Sequence, residues 1–334
     1  MLATGEFALA DQFDRIKYGY VDTPVVSLEH DLFDLFAKLE YCNANGSIKD
    51  RSAYVMLRQA VQRGELTRET TVIESSSGNL AISLACLCRL LSVPFIPVID
   101  PNINAPTEQF LRATCERVEK ITERDPAGGF LRARLQRVGQ LTASLPSAYW
   151  PNQYANPDAA DAHDLLTGAE ICRTFDRLDY IFIGVGTAAT IAGISRRVKR
   201  LMPRTRIVAV DSAGSVIFGQ PAAPRFIPGI GSSIRPPLLQ DALLDDYVIV
   251  EESETIRACH RLVQRFGLFA GGSTGSVYAA IEKYFASYRG PRPSVLFLCA
   301  DRGIAYTDTV YRPGWLDSVA ASVRQTEMIG NRTA

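Results

Sequence analysis

The 334-residue chain has thirty-six basic residues, and only Lys17, Lys38, Lys49, Lys120, Lys199 and Lys283 carry a primary amine; the other thirty are arginines. Amine chemistry such as Schiff-base formation therefore has six side-chain candidates. Lys49 stands out, because it follows Gly46 and Ser47 in "CNANGSIKDRSA", a compact approach to what reads as a helix start. A Schiff-base lysine has to sit where burial lowers its pKa. The same stretch also suits an exposed lysine in a first helical turn, the common fate of lysine. Those ten or so residues alone leave both open.

Three other stretches are built for close approach of a ligand to backbone. In "SSSGN" (Ser75 to Asn79), hydroxyls and unpaired amides at a helix start would suit a carboxylate, or would simply cap the helix. In "GVGTAAT" (Gly184 to Thr190), small residues let successive N–H groups face a phosphate while a helix from about Ala188 adds its positive end. A tight strand-to-helix turn packed on a sheet would look the same, and both the Walker lysine and a full Gly-x-Gly-x-x-Gly are missing. In "AGGSTGS" (Ala270 to Ser276), Ser273 could hold a ligand, or the glycines could serve helix packing.

The elements that must position these residues alternate from about residue 70 onward. "TTVIE", "PFIPVID" and "RVEKI" read as strands, and "AGGFLRARLQRVGQLTASL" reads as an amphipathic helix. "AYWPNQYANPDAADAH" breaks the pattern and reads as a crossing between two halves. "DYIFIGVG", "RIVAVDS", "YVIV" and "SVLFL" are further strands, separated by helices such as "SETIRACHRLVQRFG" and "VYAAIEKYFASY". The Pro/Gly-rich "GQPAAPRFIPGIGSSIRPPLL" is expected to be an ordered functional loop. Two α/β lobes sharing a cleft follow, with ligands at the carboxyl ends of the strands.

Composition narrows the chemistry further. The chain is 47% hydrophobic and 22% charged with zero formal net charge, and it has no dense basic block, which argues against nucleic acid and membrane surfaces as partners. The N-terminus does not read as a signal peptide, and no apolar run approaches the roughly 18 residues of a membrane span. Seven scattered cysteines fit a reducing cytoplasm better than a disulfide framework. His30, His163 and His260 are isolated, so no metal site is expected.

The lysine motif, "SSSGN", "GVGTAAT" and "AGGSTGS" follow one another in the order found in fold-type II pyridoxal phosphate enzymes. The chain resembles the cysteine synthase and cystathionine β-synthase family from "TPVVSL" at Thr23 to "DRG" at Asp301. That resemblance implies an α/β fold of two three-layer lobes, like the tryptophan synthase β-subunit, with pyridoxal 5'-phosphate in the cleft. The expected division is a larger cofactor lobe from 12–42 and 152–320, a smaller mobile substrate lobe from 43–151, and a tail from 321–334. It further implies that Lys49 carries the cofactor as a Schiff base and acts as the catalytic base. Asn79 would meet the ring hydroxyl, Gly186, Thr187, Ala188, Ala189 and Thr190 would cradle the phosphate, and Ser273 would face the pyridine nitrogen. Ser76, Ser77 and Gly78 would bind the amino-acid carboxylate, with Gln153 a further candidate. A neutral serine at the ring nitrogen favours β-elimination over transamination.

Within the family, "KLEYCNANGSIKDR", "IESSSGNLAI", "NQYAN", "VDSAGSVIFG", "PGIGSS" and "FAGGSTGS" are most similar to the N-(2-amino-2-carboxyethyl)-L-glutamate synthase branch. The branch implies β-replacement on O-phospho-L-serine through an α-aminoacrylate, with the amine of L-glutamate as nucleophile. Its product supplies L-2,3-diaminopropionate for the siderophore staphyloferrin B. "NANGS" replaces the common Asn-Pro-x-Gly-Ser, Leu80 replaces a hydroxyl near the substrate carboxylate, and Gly186 stands where the branch can carry serine. A cysteine or cysteate synthase using sulfide or sulfite with O-phosphoserine or O-acetylserine, a dehydratase, and a non-catalytic cofactor-binding regulator are the alternatives. Recognition of two anionic substrates calls for donor-rich groups, and Arg134, Tyr154 and Arg302 are the candidates. The family also implies a homodimer, and an NAD-dependent ornithine-cyclodeaminase-like dehydrogenase is a candidate pathway partner.

Overall fold

The computed structural model describes residues 8–16, 21–124, 129–315 and 317–318. Lys17 and the tail expected at 321–334 lie outside the described residues. Among the described residues ten strands form two sheets: β1 Val25–Leu28, β2 Asp34–Lys38, β3 Thr71–Ser75, β4 Phe95–Ile99, β5 Glu119–Lys120, β6 Ala148–Tyr149, β7 Tyr180–Gly184, β8 Arg206–Ser212, β9 Asp246–Val250 and β10 Ser294–Leu298. The larger sheet runs β1-β2-β10-β7-β8-β9 and the smaller runs β5-β4-β3-β6. Every pairing is parallel except β1 with β2.

Strands covered on both faces read as continuous apolar runs, which explains why β4, β7 and β8 were legible from composition. β1 and β2 are short and interrupted by polar residues, and they complete the large sheet only because β10 pairs with β2 across the chain. The crossing near residue 150 is shorter than its sequence suggests. It contains β6, and from Pro157 the chain is helical to Thr174, with a π-helical turn at His163–Gly168. Helix Ala189–Leu201 packs tightly on this segment, since a Cβ at Gly193 would lie 2.0 Å from the Ala160 carbonyl oxygen.

One apolar cluster joins the two sheets. It contains Val72, Leu84 and Ile99 from the smaller sheet and its helix, and Ile181, Ile207 and Leu298 from the larger sheet. Separate clusters cover the outer faces, among them Ile73, Val98 and Leu141 on the small sheet and Phe182, Tyr278 and Phe297 on the large one. The cleft therefore opens from a shared core, at the carboxyl ends of both sets of strands.

Candidate active site

Lys49 is the first residue of the helix Lys49–Gln62. The approach turns at Gly46, whose φ of 84° lies in the left-handed region that favours glycine. Two residues on, the fully buried Arg51 locks the helix to the large-sheet framework: its Nε donates to Glu40 Oε2 at 2.7 Å and its Nη2 to Glu170 Oε2 at 2.8 Å. Lys38 donates to the same Glu170 oxygen at 2.6 Å. A buried charge cluster like this leaves little freedom to the residue it positions.

The structure separates the lysines as the sequence could not. Lys38, Lys120 and Lys199 each lie 2.6 Å from a carboxylate, and Lys283 lies 3.6 Å from Glu254. Lys49 alone of the five described lysines has no ion-pair or hydrogen-bond partner for its amine among the described residues. Burial lowers its pKa, and the carboxylate of Asp301 partly opposes that shift.

Lys49 lines a pocket with Asn79, Gly186, Thr187, Ala188, Thr190, Gly229, Ser273 and Asp301. Ala188 caps the helix Ala189–Leu201 with φ of 66°, a left-handed conformation unusual for alanine. The amides of Gly186, Thr187 and Ala188 donate to no described residue, so this helix start presents unsatisfied N–H groups to the pocket. The hydroxyls of Thr187 and Ser273 are likewise without a described hydrogen-bond partner. A free amine, an amide cradle and a free hydroxyl along one pocket fit a ligand with an aldehyde, a ring and a phosphate. Pyridoxal 5'-phosphate has all three.

"AGGSTGS" is not a free turn. Gly271 is the N-cap, and Ser273 already belongs to the helix Gly272–Phe285. Ala189 is buried behind the cradle and does not line the pocket. Thr190 faces His163, 3.3 Å from its Nε2, and that ring also reaches Ser52 at 3.0 Å and, through Nδ1, Thr167 at 3.0 Å. Burial, together with Lys49 and Arg51, holds this imidazole well below its ordinary pKa and therefore neutral.

The substrate-side residues meet at the smaller sheet. Ser76 Oγ accepts from the amide of Ala81 at 3.2 Å, and Gly78 is the N-cap of the helix Asn79–Leu91. Ser77 Oγ accepts from the Asp100 amide and from Arg134 Nη1, both at 3.0 Å, while Arg134 Nε lies 3.2 Å from Asp100. Gln153 is buried, its Nε2 donating to the Ser75 carbonyl at 3.0 Å. Tyr154 has no hydroxyl hydrogen bond among the described residues; burial raises its pKa, opposed by Arg134 and Arg225.

Arg302 is not brought into the pocket. It is exposed, with its guanidinium carbon 5.3 Å from the Tyr41 ring centroid. The chain is extended here, Asp301 bridging to Ser47 and Arg302 to Ala270, so adjacent side chains point to opposite sides and the inward position belongs to Asp301.

Asp301 is the residue the sequence reading missed. Its buried Oδ2 accepts from Asn79 Nδ2 at 2.8 Å and from the Tyr306 hydroxyl at 2.7 Å, while Oδ1 has no partner. Burial raises its pKa against those hydrogen bonds and Lys49. Asn79 thus spends one N–H on Asp301, leaving its second N–H and its oxygen for a ligand. The only sequence signal was the strand end "ADRG", where the arginine looked the more chemical residue.

Comparison with known proteins bears on the whole chain. Residues 16–300 match the family described as "Pyridoxal-phosphate dependent enzyme". Two proteins named N-(2-amino-2-carboxyethyl)-L-glutamate synthase are similar: one from Ralstonia nicotianae, 44% identical, and one from Cupriavidus metallidurans, 42% identical, each match covering 90% of both chains. The crystal structure of an O-acetylserine dependent cystathionine beta-synthase from Helicobacter pylori has a TM-score of 0.81 at 26% identity, covering 93% of this chain and 100% of that one.

Proposed function

The chain belongs to the pyridoxal-phosphate dependent enzyme family, and from that premise we propose that it joins O-phospho-L-serine to L-glutamate, giving N-(2-amino-2-carboxyethyl)-L-glutamate and phosphate. Its cofactor is pyridoxal 5'-phosphate, which when bound supplies electron withdrawal from Cα of an amino acid. The observation that carries the reading is Lys49, an amine with no partner among the described residues, in one pocket with Asn79, Ser273 and the cradle of Gly186, Thr187, Ala188 and Thr190.

In this reading, Lys49 would hold the cofactor covalently in the resting enzyme. Its depressed pKa lets the amine, once freed, remove the proton at Cα of the phosphoserine substrate. The Cβ–O bond then breaks and phosphate leaves with the electron pair. The glutamate nitrogen forms the new bond to Cβ and loses a proton, and Lys49 returns a proton to Cα. Asn79, oriented by Asp301, would meet the cofactor's ring hydroxyl, and Ser273 would meet its ring nitrogen. Ser76, Ser77 and Gly78 hold the substrate carboxylate with Gln153, while Arg134 meets the phosphate side.

The smaller lobe, 43–151, closes on the larger lobe, 12–42 and 152–320, when substrate binds. The protein works as a cytoplasmic homodimer, and its product feeds an NAD-dependent ornithine-cyclodeaminase-like dehydrogenase on the way to L-2,3-diaminopropionate and a siderophore. Within the described residues no helix is long and apolar enough to cross a membrane.

The direct experiment is to incubate the holoenzyme with O-phospho-L-serine and isotopically labelled L-glutamate, following phosphate by colour assay and the coupled product by mass spectrometry. Coupling of glutamate supports the reading. Phosphate release that yields product only with sulfide or sulfite would make the protein a cysteine or cysteate synthase.

A further inference from the structure

Arg225 lies in the Pro/Gly-rich loop between β8 and β9, four residues before Gly229, which lines the pocket. Its Nη1 donates to the Ile230 carbonyl at 3.3 Å and its Nη2 to Ser233 Oγ at 3.0 Å. Its Nε is buried without a partner, and no carboxylate of the described residues lies within 4.0 Å of the guanidinium. Asp211 and Glu252 favour its charge only from a distance. Asp211 Oδ1 accepts from the Ser212 amide, and Glu252 Oε1 accepts from the amides of Phe226 and Ile227.

Arg134, by contrast, is neutralised by Asp100 and bound to Ser77 on the smaller-sheet side. The two guanidiniums act on the same phenol, that of Tyr154, whose hydroxyl has no described hydrogen-bond partner. A partly buried guanidinium with a spare N–H, beside a spare hydroxyl, is an incomplete anion site. Arg134 stands on the helix Leu131–Ser144 and bonds Ser77 of the stretch that takes the first amino acid, while the Arg225 guanidinium sits at the turn that carries Gly229, on the larger-sheet side. Two anionic reactants therefore have two cations from opposite lobes.

We propose that Arg225 is the residue that selects the nucleophile, its guanidinium binding the side-chain carboxylate of the incoming amino acid, with the Tyr154 hydroxyl as second donor. This deepens the reading above and rests on it. The test compares wild type with Arg225→Gln and Arg225→Lys as holoenzymes. Single-turnover phosphate release from O-phospho-L-serine without nucleophile isolates the first stage, and steady-state coupling of L-glutamate and of L-glutamine measures the second. In Arg225→Gln the loss should fall on the second stage, with KM for glutamate up by about tenfold or more and the preference for glutamate over glutamine down by a similar factor. Arg225→Lys should recover part of that preference, and it decides the matter if the glutamine variant does not fold. An unchanged glutamate preference in the variants overturns the proposal alone, as does a loss confined to phosphate release. A wild-type enzyme that releases phosphate yet couples no glutamate overturns the broader reading and this proposal with it.

Discussion

The two ends of the candidate site are built from different materials. Around Lys49 and the turn at 186–190 the groups are small and unsatisfied: a bare amine, backbone amides, and the hydroxyls of Thr187 and Ser273. Around Ser77, Arg134 and Glu74 they are charged and largely occupied, Arg134 by Asp100 and Ser77, and Glu74 by Ser75, Trp150 and Gln153. The first end has donors waiting for one rigid ligand. The second is a polar network closed on its own partners. Fixed donors suit a resident cofactor, and a network with internal partners suits ligands that come and go.

Lys49→Ala should do the most damage. Coupling should fall by more than about 10³-fold, and borohydride should no longer fix the cofactor to the chain. Normal turnover with a reducible bond at another lysine would break the distinction between the two ends at its foundation. Arg51→Met removes the bolt beneath the cofactor end and leaves Glu40 and Glu170 without their main cation. Chemical denaturation should show a loss of roughly 3–5 kcal/mol. A loss much smaller than that would mean Lys49 is held mainly by packing.

At the substrate end, Glu74 is buried and its pKa is pushed up to about 7 by burial, against hydrogen bonds from Gln153, Ser75 and Trp150. Its folded pKa lies above the unfolded value, so its contribution to stability is fully present below about pH 4.5 and is lost as pH rises through about 7. Glu74→Gln should therefore gain on wild type between pH 5 and pH 8, by at most about 3 kcal/mol, in parallel urea titrations. A difference independent of pH would show that the carboxyl is not protonated in the fold. Arg134→Ala should raise KM for O-phospho-L-serine by about tenfold while cofactor affinity, read by absorbance titration, stays unchanged. Loss of cofactor instead would join the two ends into one network. The smallest effect belongs to Ala188→Gly, which relieves a left-handed alanine and should stabilise the cofactor-free protein by about 1 kcal/mol or less.

The same division governs what could be read from sequence. Cofactor-end residues sit on contiguous stretches, because amides at a helix start and small side chains beside them are consecutive by nature. "GVGTAAT" and "GGSTGS" carry Gly186, Thr187, Thr190 and Ser273 within a few positions of one another. The β4, β7 and β8 strands were legible for a similar reason, since burial on both faces leaves an unbroken apolar run. β1, β2 and the two-residue β6 were not, because pairing across the chain makes them strands rather than their own composition. Pairs at the other end are separated by long intervals, as with Ser77 and Arg134, and Glu74 and Gln153.

The sequence alone determined an α/β chain with four ordered candidate ligand-binding stretches and a short list of amines, because helix starts, turns and buried strands are local properties. Tertiary structure decided which of the described lysines is left without a counter-ion, which way "DR" faces, and what Asn79 leans on. Those outcomes depend on side chains more than a hundred residues apart, Arg51 with Glu170 and Asn79 with Asp301. Burial and charge pairing are set only when the two sheets close over their shared core, and no local pattern encodes that closure.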